Sequence, residues 1–121
     1  MPINKVLVVD DSNADLLHLK QIIEQAGYVT LTAKSGKEAV EQAKSQQPDV
    51  IFLDVIMQEM DGFEACRKLS RDEATKRIPV VFVTSKNQKA DRVWAEMQGA
   101  KALISKPYTQ DAILQQLQAM Q

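Results

Sequence analysis

The sequence has little of what several classes of site require. Cys66 is its only cysteine, which excludes an intrachain disulfide and a cysteine-rich zinc site. His18 is its only histidine, so multi-histidine metal sites are excluded as well. The longest uninterrupted apolar runs, such as residues 6–9, are far shorter than the roughly 20 residues of a membrane span. Because the N-terminus also has no apolar signal-peptide core, we expect a cytoplasmic protein without membrane insertion.

Composition and charge are those of an ordinary globular domain. Hydrophobic residues make up 45% and charged residues 26% of the chain, which argues against disorder. The net charge of −1 gives no support to bulk binding of nucleic acid. A length of 121 residues fits one domain, and we expect that domain to span residues 1–121.

Two hydrophobic periodicities alternate along the chain. Apolar residues recur at helical spacing, as in Leu16, Leu19 and Ile23, and predict helices between short strands. Residues 35–38, 61–64 and 85–88 have the pattern of helix N-terminal caps. The predicted strands are the β-branched or apolar runs at residues 5–10, 28–33, 49–54, 80–84 and 102–105. Five such strand–helix units predict an α/β fold, with a doubly wound parallel sheet in the flavodoxin-like order 2-1-3-4-5.

Polar side chains stand where four of these strands end. In a doubly wound sheet, ligands bind outside the carboxyl ends of the strands, so these residues converge on one edge. They are Asp10 and Asp11, Asp54, Thr84 and Ser85, and Lys106. Each one alone is more often a helix cap, a solvated turn residue or a surface lysine. Their joint occurrence on the four relevant strand ends favours a common site.

Three converging carboxylates would repel one another unless their pKa values rise or a cation binds. Oxygen ligands without imidazole or thiolate suit a hard ion such as Mg²⁺, or Mn²⁺. Asp54, which ends the central strand, can then act as a nucleophile toward phosphorus. The cation and Lys106 would neutralise charge on the transferring phosphoryl group, and Thr84 could donate a hydrogen bond to it. The product would be an acyl phosphate, which adds negative charge at a buried edge.

Five short motifs surround these residues. They are VVDDS at 8–12, FLDV at 52–55, MDG at 60–62, VTS at 83–85 and SKP at 105–107. Together they resemble the receiver domain of two-component response regulators. The resemblance covers essentially the whole chain and is closest to stand-alone regulators of the CheY type, with residues 93–100 similar to the twitching-motility PilH group.

The resemblance implies a role for each matching residue. Asp54 is expected to be the phosphoacceptor. Asp10 and Asp11 are expected to hold Mg²⁺ together with Asp54 and the backbone carbonyl of Ile56. The protein would take its phosphoryl group from a sensor histidine kinase or a histidine phosphotransfer protein, and would catalyse only that transfer and its own slow hydrolysis.

The last strands carry the implied switch. Thr84 is the switch hydroxyl, Ser85 is small enough to leave the site open, and Lys106 contacts the phosphoryl group. The peptide bond before Pro107 is expected to be cis. Family members often have an aromatic residue where this chain has Leu103. Leu103 is therefore expected to convey any change by packing alone.

The resemblance also implies a downstream protein target, bound by a chain that we expect to be monomeric. The expected surface comprises the fourth helix, the fifth strand and the fifth helix. Lys89, Arg92 and Lys101 would lie on it and favour an acidic target. Trp94 is expected to be partly buried, with a role in partner binding as the less favoured interpretation.

Three other functions share parts of this pattern. A haloacid-dehalogenase-like hydrolase would need a second acid two residues after its nucleophile, where this chain has Ile56. A flavodoxin-like nucleotide binder would need a phosphate loop where Asp10 and Asp11 stand. A pseudo-receiver would bind its partner without phosphorylation.

Overall fold

The computed structural model describes residues 2–121, in which five strands alternate with five helices. The strands are β1 (Lys5–Val9), β2 (Val29–Ala33), β3 (Val50–Leu53), β4 (Val80–Thr84) and β5 (Ala102–Ser105). The helices are α1 (Asn13–Gln25), α2 (Gly36–Gln46), α3 (Gly62–Arg71), α4 (Lys89–Met97) and α5 (Gln110–Ala119).

All neighbouring strands pair in parallel, in the order β2-β1-β3-β4-β5, which confirms the predicted topology. Every residue of β3 and β4 is buried, as is usual for apolar parallel strands that helices cover on both faces. Because the strands are parallel, their carboxyl ends share one edge of the sheet. Asp10, Asp54 and Lys106 each follow the last residue of a strand on that edge.

A separate apolar cluster covers each face of the sheet. One contains Phe52 and side chains of α1 and α5 such as Ile23 and Leu117. The other contains Phe82 and side chains of α2, α3 and α4. Phe52 and Phe82 are the largest fully buried side chains among the described residues, and each cluster contains one of them.

Two of the three predicted helix starts are confirmed. The Ser35 hydroxyl accepts a hydrogen bond from Glu38 N–H (3.1 Å), and the Asp61 carboxylate accepts one from Glu64 N–H (2.9 Å). The predicted cap at residues 85–88 is wrong, since α4 begins only at Lys89. Gln88 is the N-cap instead, and its N–H donates to the Asp91 carboxylate (3.1 Å), while the Lys86 N–H donates to the Thr84 hydroxyl (3.1 Å).

Helix α4 packs less closely than the others, because Ala95 is its only buried residue. Its large apolar side chains point outward, and Val93 is 50%, Trp94 45% and Met97 67% exposed. Trp94 was expected to be partly buried, and nearly half of its surface is open. These three residues have the helical spacing of a core-facing stripe, but they point away from the core.

Each open edge of the sheet has a carbonyl covered by a side chain from the adjacent helix. On β5, the Arg92 guanidinium donates to the Leu103 carbonyl (3.2 Å) and to the Ser105 hydroxyl (3.0 Å). On β2, the Gln42 amide donates to the Thr32 carbonyl (3.3 Å). Among residues 2–121, no helix combines the length and the apolar character needed to cross a membrane.

Candidate functional site

Asp54 is fixed by the backbone that follows it. Its side chain is nine-tenths buried, and its Oδ1 atom accepts hydrogen bonds from Val55 N–H (2.7 Å) and Ile56 N–H (3.4 Å). The chain then turns back, and Gly62 at the start of α3 donates its N–H to the Val55 carbonyl (2.8 Å). A Cβ at Gly62 would fall on the Asp54 carbonyl oxygen, so only glycine permits this approach. The Asp54 Oδ2 atom faces the rest of the site.

Two more carboxylates lie beside Asp54 at the end of β1. Asp10, Asp11 and Asp54 each offer an oxygen, and the three oxygens lie within 4.8 Å of one another. Asp10 is buried and its Oδ1 atom accepts the Ser12 N–H (2.9 Å). Asp11 is exposed and borders a polar depression of about 300 Å³ that it shares with Ser35. The predicted convergence of these acids is thus present in the structure.

Lys106 neutralises part of this charge. Its Nζ atom donates to Asp10 Oδ2 (2.8 Å), Asp15 Oδ2 (3.0 Å) and Asp54 Oδ2 (3.4 Å). An ammonium has three N–H donors, so these three carboxylates use all of them. A single lysine therefore joins the ends of β1, β3 and β5.

The pKa shifts follow from burial and this pairing. Burial raises the pKa of Asp10, although the hydrogen bond from Lys106 opposes the rise. Burial would lower the pKa of Lys106, but its hydrogen bonds to Asp10 and Asp15 and the nearby charge of Asp54 outweigh burial and raise it. The surrounding carboxylates therefore favour the charged form of the Lys106 ammonium.

Thr84 and Ser85 follow each other at the end of β4 but differ in exposure. Thr84 is fully buried, and its carbonyl accepts the Lys106 N–H (2.9 Å). Ser85 is exposed and lines a cleft of about 400 Å³ together with Lys106 and Pro107. The Lys106–Pro107 peptide bond is cis, as predicted.

Part of the expected partner surface is already engaged in contacts within the protein. Leu103 is half-buried, and its carbonyl is bonded to Arg92, so a polar link accompanies its packing. Arg92 is exposed, yet its guanidinium is already engaged by β5. Lys101 is exposed and lines a groove of about 460 Å³ between α4 and β5. Trp94 does not line that groove.

Asp15 is the site residue that the sequence analysis missed. It lies in the first turn of α1, where an acid is usually explained by the helix dipole. The available signal was its position four residues after Asp11, close to the acidic end of β1. Its carboxylate is 50% exposed and contacts Lys106 from outside the three-carboxylate cluster.

The donor set fits a hard divalent cation. Asp10, Asp11 and Asp54 offer only oxygen, and no imidazole or thiol belongs to the cluster. Two of the three carboxylates already contact Lys106, so a cation would share them with an ammonium.

Comparisons with known proteins agree with this geometry. The family model of the response regulator receiver domain matches residues 6–118. The chain is 36% identical over 116 residues to protein PilH of Pseudomonas aeruginosa, which covers 96% of each protein.

Solved structures are similar over nearly the whole chain. The chemotaxis protein CheY4 of Vibrio cholerae has a TM-score of 0.92 and 30% identity, covering 98% of this chain and 99% of that one. The receiver domain of a signal transduction histidine kinase from Syntrophus aciditrophicus has a TM-score of 0.88 and 34% identity, covering 97% and 89%. The chain therefore belongs to the family of response regulator receiver domains.

Proposed function

We propose that this receiver domain accepts a phosphoryl group on Asp54 from a phosphohistidine. The observation that carries the proposal is the contact of the Lys106 ammonium with the buried carboxylates of Asp10 and Asp54. Such a site combines a fixed carboxylate nucleophile with an ammonium group that can bind the incoming phosphoryl oxygens. The donor would be a sensor histidine kinase or a histidine phosphotransfer protein.

The transfer replaces one bond to phosphorus by another. An oxygen of Asp54 attacks the phosphorus atom, the P–N bond of the phosphohistidine breaks, and its electron pair returns to the imidazole. Val55 N–H and Ile56 N–H keep the other carboxylate oxygen oriented during the attack. In the domain's own slow hydrolysis, a water oxygen would attack the phosphorus atom, the bond to the Asp54 oxygen would break, and inorganic phosphate would leave.

Asp10, Asp11 and Asp54, with the carbonyl of Ile56, would hold Mg²⁺ or Mn²⁺. The bound ion would supply positive charge against the phosphoryl oxygens. Ile56 has an apolar, 55% exposed side chain and offers no acid at the position that a dehalogenase-like hydrolase would use. This favours a phosphoacceptor over a phosphatase.

The acyl phosphate would act through Thr84. It adds roughly one to two negative charges next to a buried hydroxyl. If the hydroxyl turns toward that charge, it releases Lys86 N–H and with it the loop that leads to α4. The output would be a changed surface of α4, β5 and α5, including Arg92, Trp94 and Lys101, that binds an acidic protein target. We expect a monomeric, cytoplasmic protein.

Acetyl phosphate with Mg²⁺ tests the phosphoacceptor directly. Intact mass spectrometry should show one added phosphoryl group on the wild type and none on Asp54→Asn. Asp111→Asn, an exposed acid in the first turn of α5, is the matched control and should be modified like the wild type. An unmodified wild type would contradict the proposal and favour a pseudo-receiver.

The fluorescence of Trp94, the only tryptophan, tests the output. Beryllofluoride with Mg²⁺ mimics the acyl phosphate and should change the emission in a saturable way. Asp54→Asn should abolish the change. An adduct detected by mass without any change in α4 would leave phosphorylation standing and contradict the proposed output surface.

A further inference from the structure

Lys106 has one carboxylate partner outside the cation-binding cluster. Its Nζ atom lies 3.0 Å from Asp15 Oδ2, which is comparable with its 2.8 Å contact to Asp10. The environments of the two acids differ, because the side chain of Asp15 is 50% exposed and that of Asp10 only 8%. Asp15 also does not belong to the group of three whose oxygens converge. Lys106 thus bridges the cluster and its rim.

A cation in the cluster would conflict with two of these contacts. Asp10 and Asp54 would have to serve both the ion and the ammonium. Two positive charges on the same carboxylates repel each other strongly at short range in a partly buried site. Unless Lys106 has another partner, it competes with the cation for the same oxygens.

We propose that Asp15 is a positioning residue that holds Lys106 at the rim when a divalent cation occupies the cluster. The contact lets the ammonium leave Asp10 and Asp54 without losing all of its carboxylate partners. It also keeps the ammonium at the rim of the site, facing a phosphoryl group that arrives on Asp54. This inference rests on the proposed function and deepens it, because it assigns a residue to the exchange between lysine and metal.

The anchoring of Asp15 supports this role. Ser12 caps α1 by accepting the Asp15 N–H (3.4 Å), and the Ser12 N–H in turn bonds to Asp10 Oδ1. Two hydrogen bonds through Ser12 therefore connect Asp15 to Asp10, the first residue of the cluster. The Asp15 side chain lines the same cleft as Ser85 and Lys106, so it can accompany the ammonium without entering the cluster.

A simpler electrostatic effect makes a different prediction. Any acid near the cluster would attract a cation through its field, whether or not Lys106 is present. A positioning role acts only through Lys106. A double-mutant cycle between Asp15 and Lys106 separates the two, because it measures their coupling.

Mg²⁺ binding, followed by backbone amide chemical shifts in an NMR titration, is the measurement. Lys106→Met alone should strengthen Mg²⁺ binding, because the competing ammonium is gone. Asp15→Asn should weaken binding about three- to tenfold in the wild type and less than twofold in the Lys106→Met background. Asp111→Asn, an acid without contact to Lys106, serves as the control. Far-ultraviolet circular dichroism confirms that each variant is folded.

Several outcomes would overturn the inference. Equal weakening by Asp15→Asn in both backgrounds would identify a field effect. Unchanged Mg²⁺ affinity in Asp15→Asn, or the absence of saturable shifts in the wild type, would reject the role outright. The phosphoryl adduct on Asp54 is measured separately, so failure of the inference and failure of the proposed function give different results.

Discussion

The β3–α3 region and the α4–β5 flank belong to the same sheet but are packed differently. All four residues of β3 are buried, and α3 buries five residues, including Phe63 and Leu69. In contrast, α4 buries only Ala95, and all four residues of β5 are partly exposed. Asp54 follows the closely packed region, whereas Lys106 follows the open one. The site therefore combines an acid on a closely packed strand with a lysine on a loosely packed flank. The loosely packed flank can move when the charge of the site changes.

The largest expected loss of stability comes from the closely packed region. Phe52→Ala should lower the free energy of unfolding by about 3–5 kcal/mol, because a fully buried aromatic leaves a cavity. Trp94→Ala, at a half-exposed aromatic on α4, is the matched comparison and should cost much less. Urea denaturation measures both. Similar losses in the two variants would remove the contrast between the regions.

Gly62→Ala tests the contact between α3 and the backbone of Asp54. The added methyl group would meet the Asp54 carbonyl, so we expect a loss of about 2–3 kcal/mol and slower phosphorylation by acetyl phosphate. Gly27→Ala is the control: it has a positive φ of 98° and open space around it, so it should lose stability without slowing phosphorylation. Normal phosphorylation of folded Gly62→Ala would show that Asp54 tolerates movement of its backbone.

Cys66 provides a pH-dependent test of the same region. Burial raises the pKa of its thiol from 9.0 to about 11. Because the unfolded thiol ionises first, the stability is fully present below pH 9 and falls as the pH rises toward 11. Cys66 should account for a loss of about 1.4 kcal/mol by pH 10, which Cys66→Ala abolishes. Equal pH profiles of the two proteins between pH 8 and 10 would contradict a closely packed thiol.

Arg92 tests whether side-chain hydrogen bonds hold α4 against β5 on the open flank. Arg92→Gln removes the guanidinium bonds to Leu103 and Ser105 and should cost about 1 kcal/mol. Hydrogen exchange of α4 and β5 amides should accelerate, while that of β3 stays unchanged. Lys89→Gln, an exposed cation on the same helix, should have neither effect. Faster exchange throughout the sheet would mean that the flank and the centre open together.

The smallest effect is expected on the outer face of α4. Met97→Ser should change the free energy of unfolding by no more than about 0.5 kcal/mol, because the side chain is 67% exposed. Thermal unfolding is sufficient to measure it. A loss above about 1.5 kcal/mol would show that Met97 is packed in solution.

The sequence predicted the closely packed region better than the open flank. The apolar runs of β1, β3 and β4 have one stable arrangement, since both faces must be covered. The ends of β1 and β3 then bring Asp10 and Asp54 together, and the end of β5 adds Lys106, as expected. In α4, Val93, Trp94 and Met97 have helical spacing but no core to face. A periodic pattern predicts a helix without stating what its apolar face contacts.

Two details that the sequence did not predict have different causes. The contact between Asp15 and Lys106 joins residues 91 positions apart, so it arises only once the ends of β1 and β5 face the same edge of the sheet. The late start of α4 is local, because Gln88 rather than Ser85 caps the helix and bonds through its N–H to Asp91. Ser85 and Gln88 each stand three residues before a polar residue that could complete a cap, so spacing alone does not choose between them.

The covered carbonyls at the two edges of the sheet have a consequence for self-association. An exposed edge strand is a template onto which a strand of another molecule can add. Here an incoming strand would have to displace Gln42 from Thr32 on β2, or Arg92 from Leu103 on β5. Side chains from α2 and α4 thus hinder edge-to-edge aggregation, because they occupy carbonyl groups that an added strand would need. The same hydrogen bonds also anchor the two helices to the sheet.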